Sequence, residues 1–284
     1  MRKLFNTAVF ILLSLGAFAQ FGSFKKRADI EKFKDTRLII VLLQDSAYNA
    51  SVIAAVERYW TYTGYDFAED TALYRFKKGD FAFLYFSKSK GSKIKAKVAS
   101  SEEDMNAFVI TKKFSRRITP DILLAYAYAG NRIDTADWDA EATRGIQLLN
   151  NYFNYAIQAT SDGEISASRM MNNYPSDKSQ LVDKKLLIED KQLDLKGKED
   201  AMTLFNGDVE EVDIEEIQKS IIWQDNSLVY FYYSKDEKFC NKLFVSAANS
   251  ELLYYTSDGA EKCKCNAKDL KELKAIKDKV VSGK

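Results

Sequence analysis

Residues 38–43 read LIIVLL, and this apolar run predicts the first buried strand of the chain. Residues 81–86 read FAFLYF and predict the centre of a sheet, because a strand buried on both faces carries apolar side chains almost without interruption. A helical pattern at 50–60, a short strand at 65–67 and a short helix at 69–77 lie between the two runs. This alternation of strands and helices predicts parallel strands joined by right-handed crossovers.

The same order of elements returns in the second half of the chain. At one constant displacement without gaps, LLI at 186–188 corresponds to the first run and LVYFYYS at 228–234 to the second. VDI at 212–214 then corresponds to the strand between them, which makes Asp213 the counterpart of Asp66. We interpret both carboxylates as helix caps. Few residues are identical, and the shared pattern of apolar runs and turns is what predicts an internal duplication.

The first half continues with further strands and ends in helices. An alternating pattern predicts a strand at 92–98, and a second strand follows at 106–111. Helices are predicted at 119–130 and 139–158, and Pro120 is typical of the first turn of such a helix.

In the second half, strands at 242–246 and 252–255 and a helix at 267–281 occupy corresponding places. Each half then has the element order βαβαβββα. The predicted fold class is therefore α/β, with mixed sheets in two tandem related domains. This order resembles a thioredoxin-like fold with one extra strand. Neither half has a Cys-x-x-Cys motif after its first strand, so the resemblance implies a fold and no activity.

The chain begins with the pattern of an export signal. Arg2 and Lys3 precede an apolar stretch at 4–18, and an Ala-Phe-Ala motif ends at Ala19. A membrane-spanning helix needs about 20 apolar residues, and this stretch is shorter and interrupted. We therefore predict a cleaved signal peptide over 1–19, a periplasmic or secreted protein, and no stable membrane insertion after cleavage.

Composition divides the rest of the chain into four parts. Residues 20–35 are basic and are expected to form an N-terminal arm, and residues 36–160 form the first α/β domain. Residues 161–182 are polar and predict a linker. Residues 183–284 form the second α/β domain.

The composition also excludes several kinds of function. The full chain has 42 Lys and Arg, 41 Asp and Glu, and no His. This balance lacks the basic footprint of a protein that binds nucleic acid. Without His, neither a Ser-His-Asp nor a Cys-His nucleophile system nor a His-based zinc site can be assembled. We predict no catalytic residue, no metal site and no cofactor.

Three cysteines, Cys240, Cys263 and Cys265, all lie in the second half. In an oxidising compartment we expect a disulfide between Cys240 and either of the other two, serving stability. The alternative is a thiol-based redox or soft-metal site at the Cys-x-Cys pair, because neighbouring lysines lower thiol pKa values and thiolates bind soft metals.

Tyrosines offer a second candidate site. Tyr230, Tyr232 and Tyr254 lie in predicted strands and are candidates for an aromatic face that stacks on a saccharide or a peptide. The competing interpretation is core packing, since strands favour aromatic residues in general.

Two hypotheses about function follow from the sequence. The first is an exported, non-catalytic binding or structural protein of the bacterial envelope, whose partner is an unknown envelope protein or saccharide. The second is a thiol-based redox or soft-metal-handling protein that uses the cysteines of the second domain.

Overall fold

The structure is a computed structural model that describes residues 27–76, 79–90, 104–115, 118, 122–129, 137–161, 178–195, 198–235 and 239–283. The predicted signal peptide, the predicted strand at 92–98 and most of the predicted linker lie outside these ranges.

The first half is built around a five-stranded sheet. Its elements are helix α1 (Arg27–Lys34), β1 (Arg37–Leu42), α2 (Ser46–Tyr59), β2 (Tyr65–Glu69), a 3-10 helix (Asp70–Phe76), β3 (Phe81–Lys90), β4 (Asp104–Thr111), β5 (Leu123–Tyr128) and α3 (Trp138–Ser161). The strand order is β2-β1-β3-β4-β5. Strand β1 pairs in parallel with β2 and β3, whereas β4 pairs antiparallel with β3 and β5.

The second half repeats this plan. Its elements are a 3-10 helix (Lys178–Leu181), β6 (Lys185–Glu189), β7 (Leu193–Asp194), α4 (Lys198–Phe205), β8 (Val209–Val212), α5 (Ile214–Trp223), β9 (Leu228–Lys235), β10 (Phe239–Ser246), β11 (Leu252–Gly259), β12 (Cys265–Asn266) and α6 (Ala267–Val281). The strand order β8-β6-β9-β10-β11 has the same pattern of parallel and antiparallel pairs. Two short strands, β7 and β12, form a separate parallel ribbon. The predicted α/β class with two mixed sheets is confirmed.

An irregularity in the sheets is repeated together with the topology. The pairing of β4 with β5 shifts register between Ile110 and Thr111. The pairing of β10 with β11 shifts register between Phe244 and Val245. Counted in the spatial order of each sheet, β4 and β10 are both the fourth strand. The register shift falls at equivalent residues of these two strands. Bulges are specific features of a fold, so this correspondence supports the interpretation that the two halves are related.

An ion pair is also repeated, and it corrects the predicted alignment. Asp66 Oδ1 lies 2.6 Å from Arg37 Nη2, and Glu210 Oε2 lies 3.0 Å from Lys185 Nζ. The two ion pairs occupy equivalent positions in the two sheets. In each sheet they join the first strand to its parallel neighbour, β1 to β2 and β6 to β8, at the same point of the strand register. The counterpart of Asp66 is therefore Glu210, whereas Asp213 precedes helix α5. A gap-free alignment was wrong here because the connection to the second strand is shorter in the second half.

The predicted helix at 119–130 is wrong where the structure describes it, since residues 123–128 form strand β5. Every residue of β5 is buried. Ala125 and Ala127 face the core between the sheets, and Tyr126 and Tyr128 face the opposite side. A strand buries both sides of this apolar run, whereas a helix of the same length on one face of the sheet would leave part of it exposed.

Helix α3 lies between the two sheets. Its residues 140–150 are all buried, because the helix packs on α2 from one half and on α5 from the other. Asn151 Nδ2 donates a hydrogen bond of 2.9 Å to the carbonyl of Asn249 across this contact. One apolar cluster therefore combines residues of both halves, among them Phe153 and Tyr230.

The core of the first half begins earlier in the chain than position 36. Ile30 and Phe33 of α1 are buried in the segment predicted as an N-terminal arm. Tyr62 donates its hydroxyl hydrogen to the Ile30 carbonyl at 3.0 Å, and the Phe33 ring lies 4.6 Å from that of Phe153. At the other boundary, Leu181 is buried at the end of the predicted linker.

Replacing Gly145 by Ala tests the close approach of α3 to the first sheet. A methyl group at this position would overlap the buried ring of Phe108. We expect Gly145→Ala to lower the free energy of unfolding by about 1–3 kcal/mol, since overpacking outweighs the better helix propensity of Ala. Chemical denaturation measures the change. Gly64→Ala is the matched control, because its methyl group would meet only the exposed, movable side chain of Arg37.

Candidate functional site

A disulfide and a buried lysine lie near the carboxyl end of the parallel strand β9 in the second half. Strand β6 pairs with β8 on one side and with β9 on the other, so the order of the strands reverses at β6. Helices α4 and α5 cover opposite faces of this sheet. In open α/β sheets the crevice at such a point, beyond the carboxyl ends of the strands, is the usual position of a functional site. The start of β10 and the end of β11 lie at the same edge, because Cys240 pairs with Lys235 and Asp258.

A disulfide lies at this edge. Cys240 and Cys263 are bonded, with their Cα atoms 5.3 Å apart, as one of the two predicted pairings requires. Cys240 is buried at the beginning of β10, and Cys263 precedes β12. The bond therefore joins the sheet to the segment that leads into helix α6.

The third cysteine, Cys265, is a free and fully buried thiol. Its backbone N–H donates a hydrogen bond of 2.8 Å to the carbonyl of Gln192, and β12 pairs with β7 at this residue. Burial raises the pKa of the Cys265 thiol, the Asp269 carboxylate raises it further, and Lys242 offsets part of the effect. The thiol is therefore protonated at neutral pH and is a poor nucleophile and metal ligand.

Lys242 is the most unusual side chain of this edge, because it is fully buried. Its Nζ atom lies 2.8 Å from Asp269 Oδ2 and 3.0 Å from Asp258 Oδ2. Lysine is almost never fully buried unless it is paired. The two carboxylates provide that pairing, and together the three side chains form what we call the lysine cluster.

The sequence around Asp269 explains why its carboxylate is held in place. Asn266 caps helix α6 and accepts hydrogen bonds from the backbone of Lys268 and Asp269. Asp269 Oδ2 in turn accepts a hydrogen bond of 3.0 Å from the backbone N–H of Asn266. This reciprocal capping box fixes the carboxylate in the first turn of the helix, pointing at Lys242.

Sequence reasoning missed the lysine cluster. Lys242 lies on β10 in phase with Phe244, whose side chain is buried against α4 and α6. In the first sheet, the residue with the same position in the register is Phe108, which is also fully buried. The available signal was a lysine at an inward position of an apolar central strand.

The structure does not bring the three predicted tyrosines together. Tyr230 is fully buried and Tyr232 is partly buried, and both face helix α3. Tyr254 lies on the other face of the sheet, where its ring is 5.7 Å from that of Phe244. Burial chiefly raises the pKa of Tyr254, to about 12, with further increases from nearby carboxylates.

Tyr232 instead belongs to a second buried polar cluster, between the two halves. Arg144 of α3 donates a hydrogen bond of 3.0 Å to the Tyr232 hydroxyl, and its guanidinium lies over the Tyr232 ring. Arg144 also forms an ion pair with Glu141. Arg144 and Glu141 are both buried, so this cluster is part of the contact between the halves.

A pocket of about 360 Å³ opens at the amino end of the first sheet, between α1 and β3. Lys32 and Asp80, which line it, form an exposed ion pair at 3.8 Å. Within the described ranges, no group of three His, Cys, Asp or Glu side chains is arranged to hold a metal ion. In the same part of the chain, no helix is both long enough and apolar enough to cross a membrane.

The chain matches no family model, no curated protein and no solved structure.

Proposed function

We propose that this chain is an exported, non-catalytic binding or structural protein of the bacterial envelope. Its partner in this proposal is another envelope component, either a protein or a saccharide. The observation that carries the proposal is the Cys240–Cys263 disulfide, which joins the second sheet to helix α6. Disulfides form and persist in the oxidising compartments outside the cytoplasm, which agrees with the export signal predicted from the sequence.

The burial of Lys242 and Cys265 and the pairing of Lys242 favour a structural role for the part of the second sheet that contains the disulfide. The lysine cluster pairs its amino group with two carboxylates, and its lysine is closed off from solvent. Cys265 faces the core as a protonated thiol. Groups paired and buried in this way contribute to the stability and rigidity of a fold, whereas groups that turn over substrates must reach them.

The redox or soft-metal hypothesis has weaker support. It needs two accessible thiolates at the Cys-x-Cys pair. Cys263 is bonded to Cys240, and Cys265 is buried with a raised thiol pKa. One sulfur atom of the motif is therefore part of the disulfide and the other is a buried thiol. This arrangement favours a structural disulfide with one remaining free cysteine.

Thiol counting separates the two hypotheses. Without reductant, we expect the denatured protein to react with one equivalent of an alkylating reagent, at Cys265, and the folded protein with none. After reduction, all three cysteines should react. We also expect the folded protein to keep its disulfide in glutathione buffers, because structural disulfides resist that pool.

The matched control is Cys265→Ala, which should leave no reactive thiol in the unreduced, denatured chain. Rapid and reversible reduction of the folded protein by glutathione would contradict a structural role and favour the redox hypothesis.

A further inference from the structure

The lysine cluster has the composition and placement of a site for covalent cross-linking. We propose that Lys242 and Asp269 become joined by an amide bond between Lys242 Nζ and Asp269 Cγ, with Asp258 as the proton carrier. The bond is an autocatalytic modification of the folded chain, and it is independent of the partner proposed above.

The geometry brings the nucleophile to its acceptor. Lys242 Nζ is 2.8 Å from Asp269 Oδ2, so the amine is in contact with the carboxyl group that it would attack. The capping box fixes that carboxyl group, and strand pairing with Tyr233 and Thr256 fixes Lys242. Fixed contact of two reacting groups replaces a bimolecular encounter and lowers the barrier accordingly.

Both reacting groups are shielded from bulk solvent. The exposed fraction of the Lys242 side chain is 0%, and that of Asp269 is 1%. Cys240, Phe244 and Cys265 are neighbouring buried residues that keep this region apolar. Burial keeps bulk water away from the amine and the carboxyl group, which disfavours hydrolysis of the amide bond once it has formed.

The second carboxylate supplies the proton transfers. Asp258 Oδ2 lies 3.0 Å from Lys242 Nζ and is partly exposed, at 20%. A carboxylate at hydrogen-bond distance from the attacking nitrogen can accept a proton and return it to a leaving group. Asp258 is held by the pairing of β11 with β10 opposite Cys240, close to the disulfide.

The step balances without any external reagent. The ammonium group of Lys242 first gives one proton to Asp269, and the resulting amine attacks Asp269 Cγ. Asp258 accepts the second proton from the nitrogen as the new N–C bond forms. It returns this proton to the hydroxyl group on Cγ, and the C–O bond breaks to release one water. The amide keeps one hydrogen on nitrogen, and Asp258 ends as it began.

The first half of the chain shows that the fold itself does not need a lysine here. Phe108 occupies the corresponding position in β4 and is equally buried. An apolar side chain therefore satisfies the same place in the related sheet. Buried ion pairs are often no more stable than apolar packing of similar volume, and an amide bond gives this lysine a role that an apolar side chain cannot supply.

Intact-mass spectrometry of the folded, then reduced and denatured, full chain tests the proposal. We expect a mass one water below that calculated for the recovered chain from its own first residue, and a branched peptide that joins Lys242 to Asp269. Lys242→Met should show no such loss. Asp258→Asn keeps the lysine and its acceptor, and it should slow formation of the bond by about 100-fold or more.

A further variant guards against misfolding as an explanation. Asp269→Asn should lose ammonia in place of water and should reach the same cross-linked product as the wild type. A folded wild-type chain that keeps the full mass of its sequence, with an unmodified Lys242 in the peptide map, would overturn the proposal. A water loss at the wild-type rate in Asp258→Asn would overturn the role of Asp258.

Discussion

Replacing Lys242 by Met is expected to lower the free energy of unfolding by about 3–5 kcal/mol, because it leaves two carboxylates at a site with no cation. Asp269 is almost fully buried, so its charge cannot be screened by solvent as a surface charge would be. The effect has this direction whether the wild-type pair is an ion pair or an amide. Urea denaturation followed by circular dichroism measures it.

Lys185→Met is the matched control for this substitution. Lys185 and Glu210 form an ion pair of similar length, but their side chains are 41% and 39% exposed. Ion pairs of that exposure contribute about 0–1 kcal/mol. Equal losses for the two variants would show that the burial of Lys242 has no energetic consequence, which would contradict the description of the lysine cluster.

Removing the disulfide is expected to cost about 3 kcal/mol. The bond closes a loop between cysteines separated by 23 positions in the sequence. A cross-link of that span restricts the unfolded chain by about this amount. The double variant Cys240→Ala with Cys263→Ala should unfold at a lower denaturant concentration than the oxidised wild type. Adding reductant should shift the wild type towards the variant.

The control for the disulfide is Cys265→Ala, which removes the buried thiol and keeps the bond. The free energy of unfolding of this variant should fall by less, about 1 kcal/mol, since the substitution deletes one buried atom and its contacts. Reductant should lower the stability of this variant as it does that of the wild type. If reductant leaves the stability of the wild type unchanged, the disulfide has no structural role.

Local sequence patterns were sufficient for elements whose partners follow from the chain itself. The runs at 38–43 and 81–86 are apolar on both faces, and they became β1 and β3 at the middle of a mixed sheet. The run at 228–234 became β9 for the same reason. Parallel pairing followed from the alternation of strands and helices.

Elements that depend on distant contacts were harder to predict. Residues 119–130 carry a helix-start signal and an apolar run, and only the neighbouring β4 decides that 123–128 is a strand. Helix α3 was predicted within the first domain, but its burial on both sides depends on the second sheet. Periodicity describes one face of an element and carries no information about what covers the other.

The candidate site was predicted in part. The predicted export and the positions of the cysteines indicated a disulfide from Cys240 to either Cys263 or Cys265, and the structure selects Cys263. Lys242 was not identified because a lysine in a strand normally points to solvent. Its role depends on Asp258 and Asp269, which approach it only through the β10–β11 pairing and the start of α6.

The proposed export and the disulfide can be tested together in one experiment. The full chain is expressed in a bacterium, intact cells are treated with a thiol-alkylating reagent, and the protein is recovered from the periplasm or medium for intact-mass spectrometry. We expect a chain that begins at Gln20, with Cys240 and Cys263 bonded to each other. Recovery only from the cytoplasm, as a chain that begins at Met1 and has three free cysteines, would contradict this expectation.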